Sequence, residues 1–232
     1  MTSTDLKENY LAVSGKIKKL ELDHNLDPGS VKLIAVSKTR PAGDIQTLAE
    51  IGQKDFGENY VQEALDKMTG LADEDITWHF IGPIQKNKTK LIAQHFDWVH
   101  SVDREIIASR LNEQRPENMP PLNICIQVNI DNEESKSGID SNDLLTLAGQ
   151  IRALPNLNLR GLMTIPSAKH DYSEQCRTFS KMRDLLALLQ QQGYDVDTLS
   201  MGMTNDYEAA IASGSTMVRI GTAIFGPRNN SN

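Results

Sequence analysis

The chain is short of several things that would point to specific chemistry. Only two cysteines, Cys125 and Cys176, occur in 232 residues, far apart and without CxxC spacing. That excludes a disulfide framework and leaves two free, buried or half-buried thiols, one in an apolar strand-like run and one in a helix-like one. No apolar run approaches the ~18 residues of a membrane span. Residues Met1 to Glu8 hold acids and lack a basic patch followed by an apolar stretch. No targeting segment is therefore expected, and a cytoplasmic location follows. Basic residues are in the minority, 24 against 31 acids, for a net charge of −7. Neither nucleic acid nor an anionic membrane is expected as the main partner, and any anion site must be local. The five histidines show no HxH or HExxH spacing, so no metal site is expected. Ser200 has no GxSxG context, which disfavours a hydrolase. No long linker or low-complexity tract interrupts the texture.

What is present is an alternation. Hydrophobic residues make up 39% of the chain, an ordinary globular share. β-rich runs fall at Val31 to Ser37, Lys54 to Gly57, Trp78 to Ile81, Phe96 to Val102, Leu122 to Ile130, Leu157 to Met163, Asp197 to Ser200 and Thr216 to Arg219. Helical periodicity lies between them: from Pro41, over Tyr60 to Met68 and Lys86 to Gln94, after Asp103, along Leu144 to Ile151, Phe179 to Leu189, and Asp206 to Ala212. An extra N-terminal helix covers Leu6 to Leu22. Repeated βα units imply a parallel sheet. Eight of them in about 200 residues close most naturally into one (β/α)₈ TIM barrel spanning residues 1–232 as a single domain. An open doubly wound sheet is the competing architecture, but no G-x-G-x-x-G follows the first strand.

Active sites of such barrels sit at the C-terminal strand ends. The residues there are Lys38, Glu58, Asn59, His79, Asp103, Asn129, Met163, Thr164, Ser200 and Arg219. Lys38 is the unusual one, because it ends an apolar strand. Apolar walls disfavour the ammonium form, and a neutral amine can form an imine. A lysine snorkelling into solvent is the other reading. After the last strand, Gly221 and Thr222 open a short turn of the kind whose backbone N–H groups bind phosphate, with Ser200 and the Met201-Gly202 backbone approaching from strand seven. A plain strand-to-helix turn is the alternative. His79 reads either as a ligand neighbour or as a satisfied core histidine. Lys136, in the loop after strand five, reads as a surface lysine on the active face.

These residues resemble the pyridoxal phosphate (PLP) homeostasis protein family over nearly the whole chain. The matching motifs include Ala35-Val36-Ser37-Lys38-Thr39, Phe56-Gly57-Glu58-Asn59-Tyr60, Trp78-His79-Phe80-Ile81-Gly82 and Ser135-Lys136-Ser137-Gly138. They continue with Arg160-Gly161-Leu162-Met163, Leu199-Ser200-Met201-Gly202-Met203 and Arg219 to Gly226. The resemblance implies a fold type III barrel, similar to the N-terminal domain of alanine racemases. By that likeness Lys38 carries PLP as a Schiff base. Ser200, Met201, Gly221 and Thr222 would hold the phosphate, Arg219 would face the pyridine nitrogen, and Asn59, His79 and Met163 would line the ring. Arg40 and Thr204 depart from the common pattern and are expected to lie away from PLP contacts.

A guanidinium can only donate to the pyridine nitrogen, so the ring stays a weak electron sink. No second domain that would supply an opposing base is expected. The expected function is intracellular PLP homeostasis or carriage without established catalysis, in a monomer that hands PLP on to apoenzymes. The alternatives are a weak PLP-dependent amino-acid racemase and a cofactor-free lysine aldolase. Lys136 is a possible secondary, transient PLP site.

Overall fold

In a computed structural model, residues 2–133, 136–168 and 171–227 are described. Met1, Ser135 and the C-terminal residues from Arg228 to Asn232, used in the sequence reading, lie outside them. The strands are β1 (Lys32–Val36), β2 (Asp55–Glu58), β3 (Thr77–Phe80), β4 (Trp98–Val102), β5 (Leu122–Gln127), β6 (Leu157–Met163), β7 (Thr198–Ser200) and β8 (Met217–Ile220). All pair in parallel, each with the next, and β8 closes on β1 through Lys32↔Met217 to Ala35↔Ile220. The eight-stranded barrel expected from the βα alternation is therefore the fold.

The helices are α1 (Ser3–Asp23), α2 (Ala42–Ala49), α3 (Val61–Gly70), α4 (Thr89–His95), α5 (Glu105–Gln114), α6 (Leu144–Arg152), α7 (Tyr172–Gln191), α8 (Tyr207–Ala212) and α9 (Thr222–Phe225). The helix read over Lys86 to Gln94 starts as a 3₁₀ turn, Lys86–Lys88, before α4 begins. The extra helix α1 opens on a capping box between Thr2 and Asp5. It buries Leu6, Val13, Ile17 and Leu20 against the barrel's outer layer. Its buried Glu21 accepts the Gly29 and Val31 N–H groups, which fixes the entry into β1.

Strand residues alternate between two faces. Outward ones such as Ala35, Phe56, Phe80, Val99 and Ile124 join the main apolar core under the helices. Inward ones divide into a small apolar cluster of Ile34, Trp98, Cys125, Met163 and Met217, and a polar set containing Asp55, His79, His100, Ser200 and Arg219. Burial pushes the Cys125 thiol up to about 12, so this cysteine is inert packing. Among the described residues no helix is long and apolar enough to cross a membrane.

Candidate functional site

β1 delivers Lys38 to the C-terminal rim on a tight turn. Arg40 N–H donates to the Ser37 carbonyl at 3.0 Å, and Thr39 takes φ +62°. A β-branched residue in that region is strained, and such strain persists only where the surroundings over-determine it. Here a buried ionic cage does so. Lys67 Nζ, from α3, donates to the Ser37 carbonyl (2.8 Å), Glu58 Oε1 (2.7 Å) and Glu63 Oε1 (2.6 Å). Glu63 accepts the Thr39 N–H, and Glu58 accepts the Ser37 hydroxyl at 2.7 Å. Burial pushes the Glu58 carboxyl up, against the opposing pull of Lys67.

This cage gives a prediction with a definite pH signature. Lys67→Met leaves Glu58 buried without its cation, which should cost about 3–5 kcal/mol near pH 8. Without Lys67 the folded-state pKa of Glu58 rises further above its unfolded value. A group shifted that way contributes stability below its unfolded pKa and loses it as pH rises through the folded one. The deficit in urea unfolding should therefore shrink between pH 8 and pH 5. An equal deficit at both would refute the assignment.

The turn borders a cavity of about 470 Å³, the size of a small-molecule site. Of the residues expected from sequence, Lys38, Asn59, Arg219, Gly221 and Thr222 line it. His79, Met163, Ser200 and Met201 do not, and each is buried. The reason is the strand period. His79, Met163 and Ser200 point into the barrel one layer below the cavity floor, and Met201 packs in the outer core. Arg40 and Thr204, which depart from the common pattern, also line the cavity wall, and the sequence reading did not single out Met203, Asn205, Asp206 and Gln175 beside them as site residues. Thr204 does not cap α8. Asp206 stands at that cap and accepts the Met203 N–H at 2.6 Å, so the β7–α8 loop folds onto the cavity.

Two features mark this cavity as built for a ligand. Arg219 is only 4% exposed, yet its guanidinium is in direct contact with no carboxylate among the described residues; Asp206, on the same cavity wall, acts on it only through space. It donates to Ser200 Oγ (2.7 Å) and the Thr164 carbonyl (2.9 Å), and burial lowers its pKa to about 10. Asn59 Oδ1 is buried with no hydrogen-bond partner among the described residues. Both are polar groups whose remaining capacity needs an acceptor or donor from outside the chain. On the β8 side, α9 starts at Thr222; the Ile224 and Phe225 N–H groups donate to the Gly221 carbonyl at 3.0 and 2.9 Å, so only the Thr222 and Ala223 N–H groups precede the first helical bond. A Cβ at Gly221 would meet Val36 only at 3.5 Å, an ordinary contact, so the fold itself does not demand glycine there.

Lys136 sits apart, in a shallow depression with Asn129, Asn132, Glu133 and Asp140, and pairs with Glu133 at 3.1 Å. Among the described residues no group of three or more His, Cys, Asp or Glu is placed to hold a metal ion.

The family described as "Alanine racemase, N-terminal domain" matches residues 20–229. A pyridoxal phosphate homeostasis protein of Pseudomonas aeruginosa is 52% identical, over 97% of this chain and 96% of its own. The solved structure of PipY from Synechococcus elongatus PCC7942 with PLP bound is 40% identical, with a TM-score of 0.80 over 90% of this chain and 98% of that one. Alanine racemase from Corynebacterium glutamicum shares the fold at 16% identity and a TM-score of 0.71, over 99% of this chain and 62% of its own.

Proposed function

The chain belongs to the pyridoxal phosphate homeostasis protein family, on a fold type III barrel of the alanine racemase kind, and we propose that it binds PLP covalently through Lys38 Nζ and carries it rather than turning over substrate. The observation that carries this reading is the pairing on one cavity of Lys38 and the buried Arg219, a donor with no carboxylate in direct contact among the described residues. When bound, PLP supplies an aldehyde for the lysine amine and an electron-withdrawing ring. Arg219 can only donate to a ring nitrogen, which keeps that nitrogen unprotonated and the ring a weak electron sink. Asn59 offers a polar edge to the ring, and the Thr222 hydroxyl with the Thr222 and Ala223 N–H groups receives the phosphate. Thr204 and Asn205 face the same space from β7's loop. The protein works as a cytoplasmic monomer whose product is loaded cofactor, passed to PLP-requiring apoenzymes.

Borohydride reduction of the PLP-loaded protein, followed by peptide mapping, tests the attachment. The phosphopyridoxyl mass is expected on the peptide containing Lys38, and a label elsewhere alone would sink the assignment. The racemase alternative predicts amino-acid turnover. Rates on the order of 1 per second would overturn carriage. Lys136 serves as a secondary, transient site, and its ion pair with Glu133 must open first. Lys136→Ala is then expected to slow PLP transfer to an apoenzyme while leaving Lys38 loading intact. Unchanged transfer removes that role.

A further inference from the structure

The barrel interior holds an unbroken run of buried polar contacts that leads away from the cavity. Arg219 Nη1 lies 2.7 Å from Ser200 Oγ, which lies 2.7 Å from His100 Nδ1. His100 Nε2 lies 2.9 Å from His79 Nδ1, and His79 Nε2 lies 2.9 Å from Asp55 Oδ1. Asp55 also accepts from Lys32 Nζ at 2.9 Å, and that side chain is 42% exposed at the opposite end of the barrel. Ser200, His79 and His100 are fully buried.

We infer that Asp55, His79 and His100 are positioning residues, a column that acts through Ser200 to fix the Arg219 guanidinium at the cavity floor. Its effect on a bound cofactor rests on the PLP reading above, whereas its internal hydrogen-bond direction does not.

The direction follows from counting protons. Arg219 has only donors, so Ser200 Oγ accepts from it. The Ser200 hydroxyl proton then goes to His100 Nδ1. An unprotonated Nδ1 places the His100 proton on Nε2, which donates to His79 Nδ1. His79 in turn carries its proton on Nε2 and donates to the Asp55 carboxylate. Every donor points from the cavity toward Asp55, and both rings are neutral. The reverse direction would need a charged His79 and would leave the Ser200 proton without an acceptor. Burial pushes the pKa of both histidines down, which opposes that charged state. A chain of donors aligned on a carboxylate polarises along its length. It therefore presents the electron-rich face of Ser200 to a buried cation that has no carboxylate in direct contact among the described residues, Asp206 acting on it only through space. An apolar filling, such as the neighbouring Trp98, Cys125 and Met217 provide, would close the barrel without the desolvation cost of two histidines and a carboxylate.

Two measurements test this. Imidazole ¹⁵N shifts of the intact protein near pH 7 should show Nε2 protonated and Nδ1 bare on both His79 and His100. An Nδ1-protonated ring at either position overturns the column. The second measurement is PLP release from His100→Phe, Ser200→Ala and the double variant. Each single change should speed release roughly tenfold or more, because Ser200→Ala removes the acceptor that holds Arg219 and His100→Phe removes the acceptor that orients the Ser200 hydroxyl. The double variant should release no faster than Ser200→Ala, within about twofold, because His100 acts only through that hydroxyl. Unchanged release in His100→Phe, or effects that multiply, overturn the proposal. If the unaltered protein takes up no PLP, the cofactor reading fails, and the ¹⁵N result still decides the column. The same result decides it if His100→Phe does not fold.

Discussion

Lys38→Ala is expected to abolish the visible absorption band of the PLP-loaded protein and to weaken PLP retention by about a hundredfold or more. The variant removes the amine that the proposed imine requires. Arg219, Asn59, Thr222 and the start of α9 stay in place around the cavity, so residual binding should persist without the band. A loss of ~2.7 kcal/mol corresponds to a hundredfold in affinity, and a covalent attachment contributes at least that. The fold should not notice. Lys38 is half-buried on a turn held by Lys67, Glu63 and the Ser37 carbonyl, and substitutions away from such anchors stay within about 0.5 kcal/mol. Absorbance and equilibrium dialysis on the variant, beside a denaturant curve, check all three statements. A retained band sinks the assignment. A lost band with a large fall in stability would mean that the residue serves the fold.

The barrel was legible because its signal is local. β1, β5 and β6 read directly as apolar runs, and the helices between them as 3.6-residue stripes. Boundaries moved where tertiary contacts decide them. β5 ends at Gln127 instead of Ile130, since beyond it only Val128 bridges to Ile139. The site was half legible. Lys38, Arg219 and Thr222 stand out because a charged or hydroxyl residue ends a strand, and a strand's end is visible in sequence. The interior was not legible. Trp78-His79-Phe80-Ile81 reads as one apolar run, and nothing in it says which residues face inward. The contact between His100 and Ser200 joins positions 100 residues apart. Lys67 reads as an ordinary lysine of a surface helix, and only the closure of β1 against β2 reveals the carboxylate it meets. Arg40 and Thr204 were set aside because they depart from a pattern, but position on the cavity wall depends on loop geometry.

The same distinction between local and tertiary signals makes Gly161→Ala the largest expected loss of stability. Arg160-Gly161-Leu162-Met163 reads in sequence as one of the motifs that carry the family resemblance, and nothing in it says why a glycine stands there. The structure gives the reason. A Cβ on Gly161 would lie 1.9 Å from the Thr198 carbonyl oxygen and 2.8 Å from its carbon. Both are backbone atoms of the adjoining strand, paired in register with Gly161, so no rotamer change can relieve the clash. β6 must part from β7. The register shift between β5 and β6 falls at the same place, Ile124 to Cys125, which leaves little slack on the other side. The residue's φ of +156° adds a conformation that side chains rarely adopt. The expected cost is about 4–5 kcal/mol or more, the upper end for a single substitution, read as a shifted urea midpoint or as failure to accumulate folded protein. Gly149→Ala is the control with the opposite sign. Gly149 is exposed within α6, and its new methyl would meet nothing nearer than the Tyr194 hydroxyl at 3.8 Å. Alanine there should add about 0.5–1 kcal/mol through helix propensity. If both variants shift by similar amounts, the β6–β7 contact is not what requires glycine at 161. If only Gly161→Ala collapses, while a Gly161→Ala protein rescued at low temperature still takes up PLP, the glycine belongs to the barrel wall, and the motif marks how closely two strands must approach to hold Thr164 and Ser200 under Arg219.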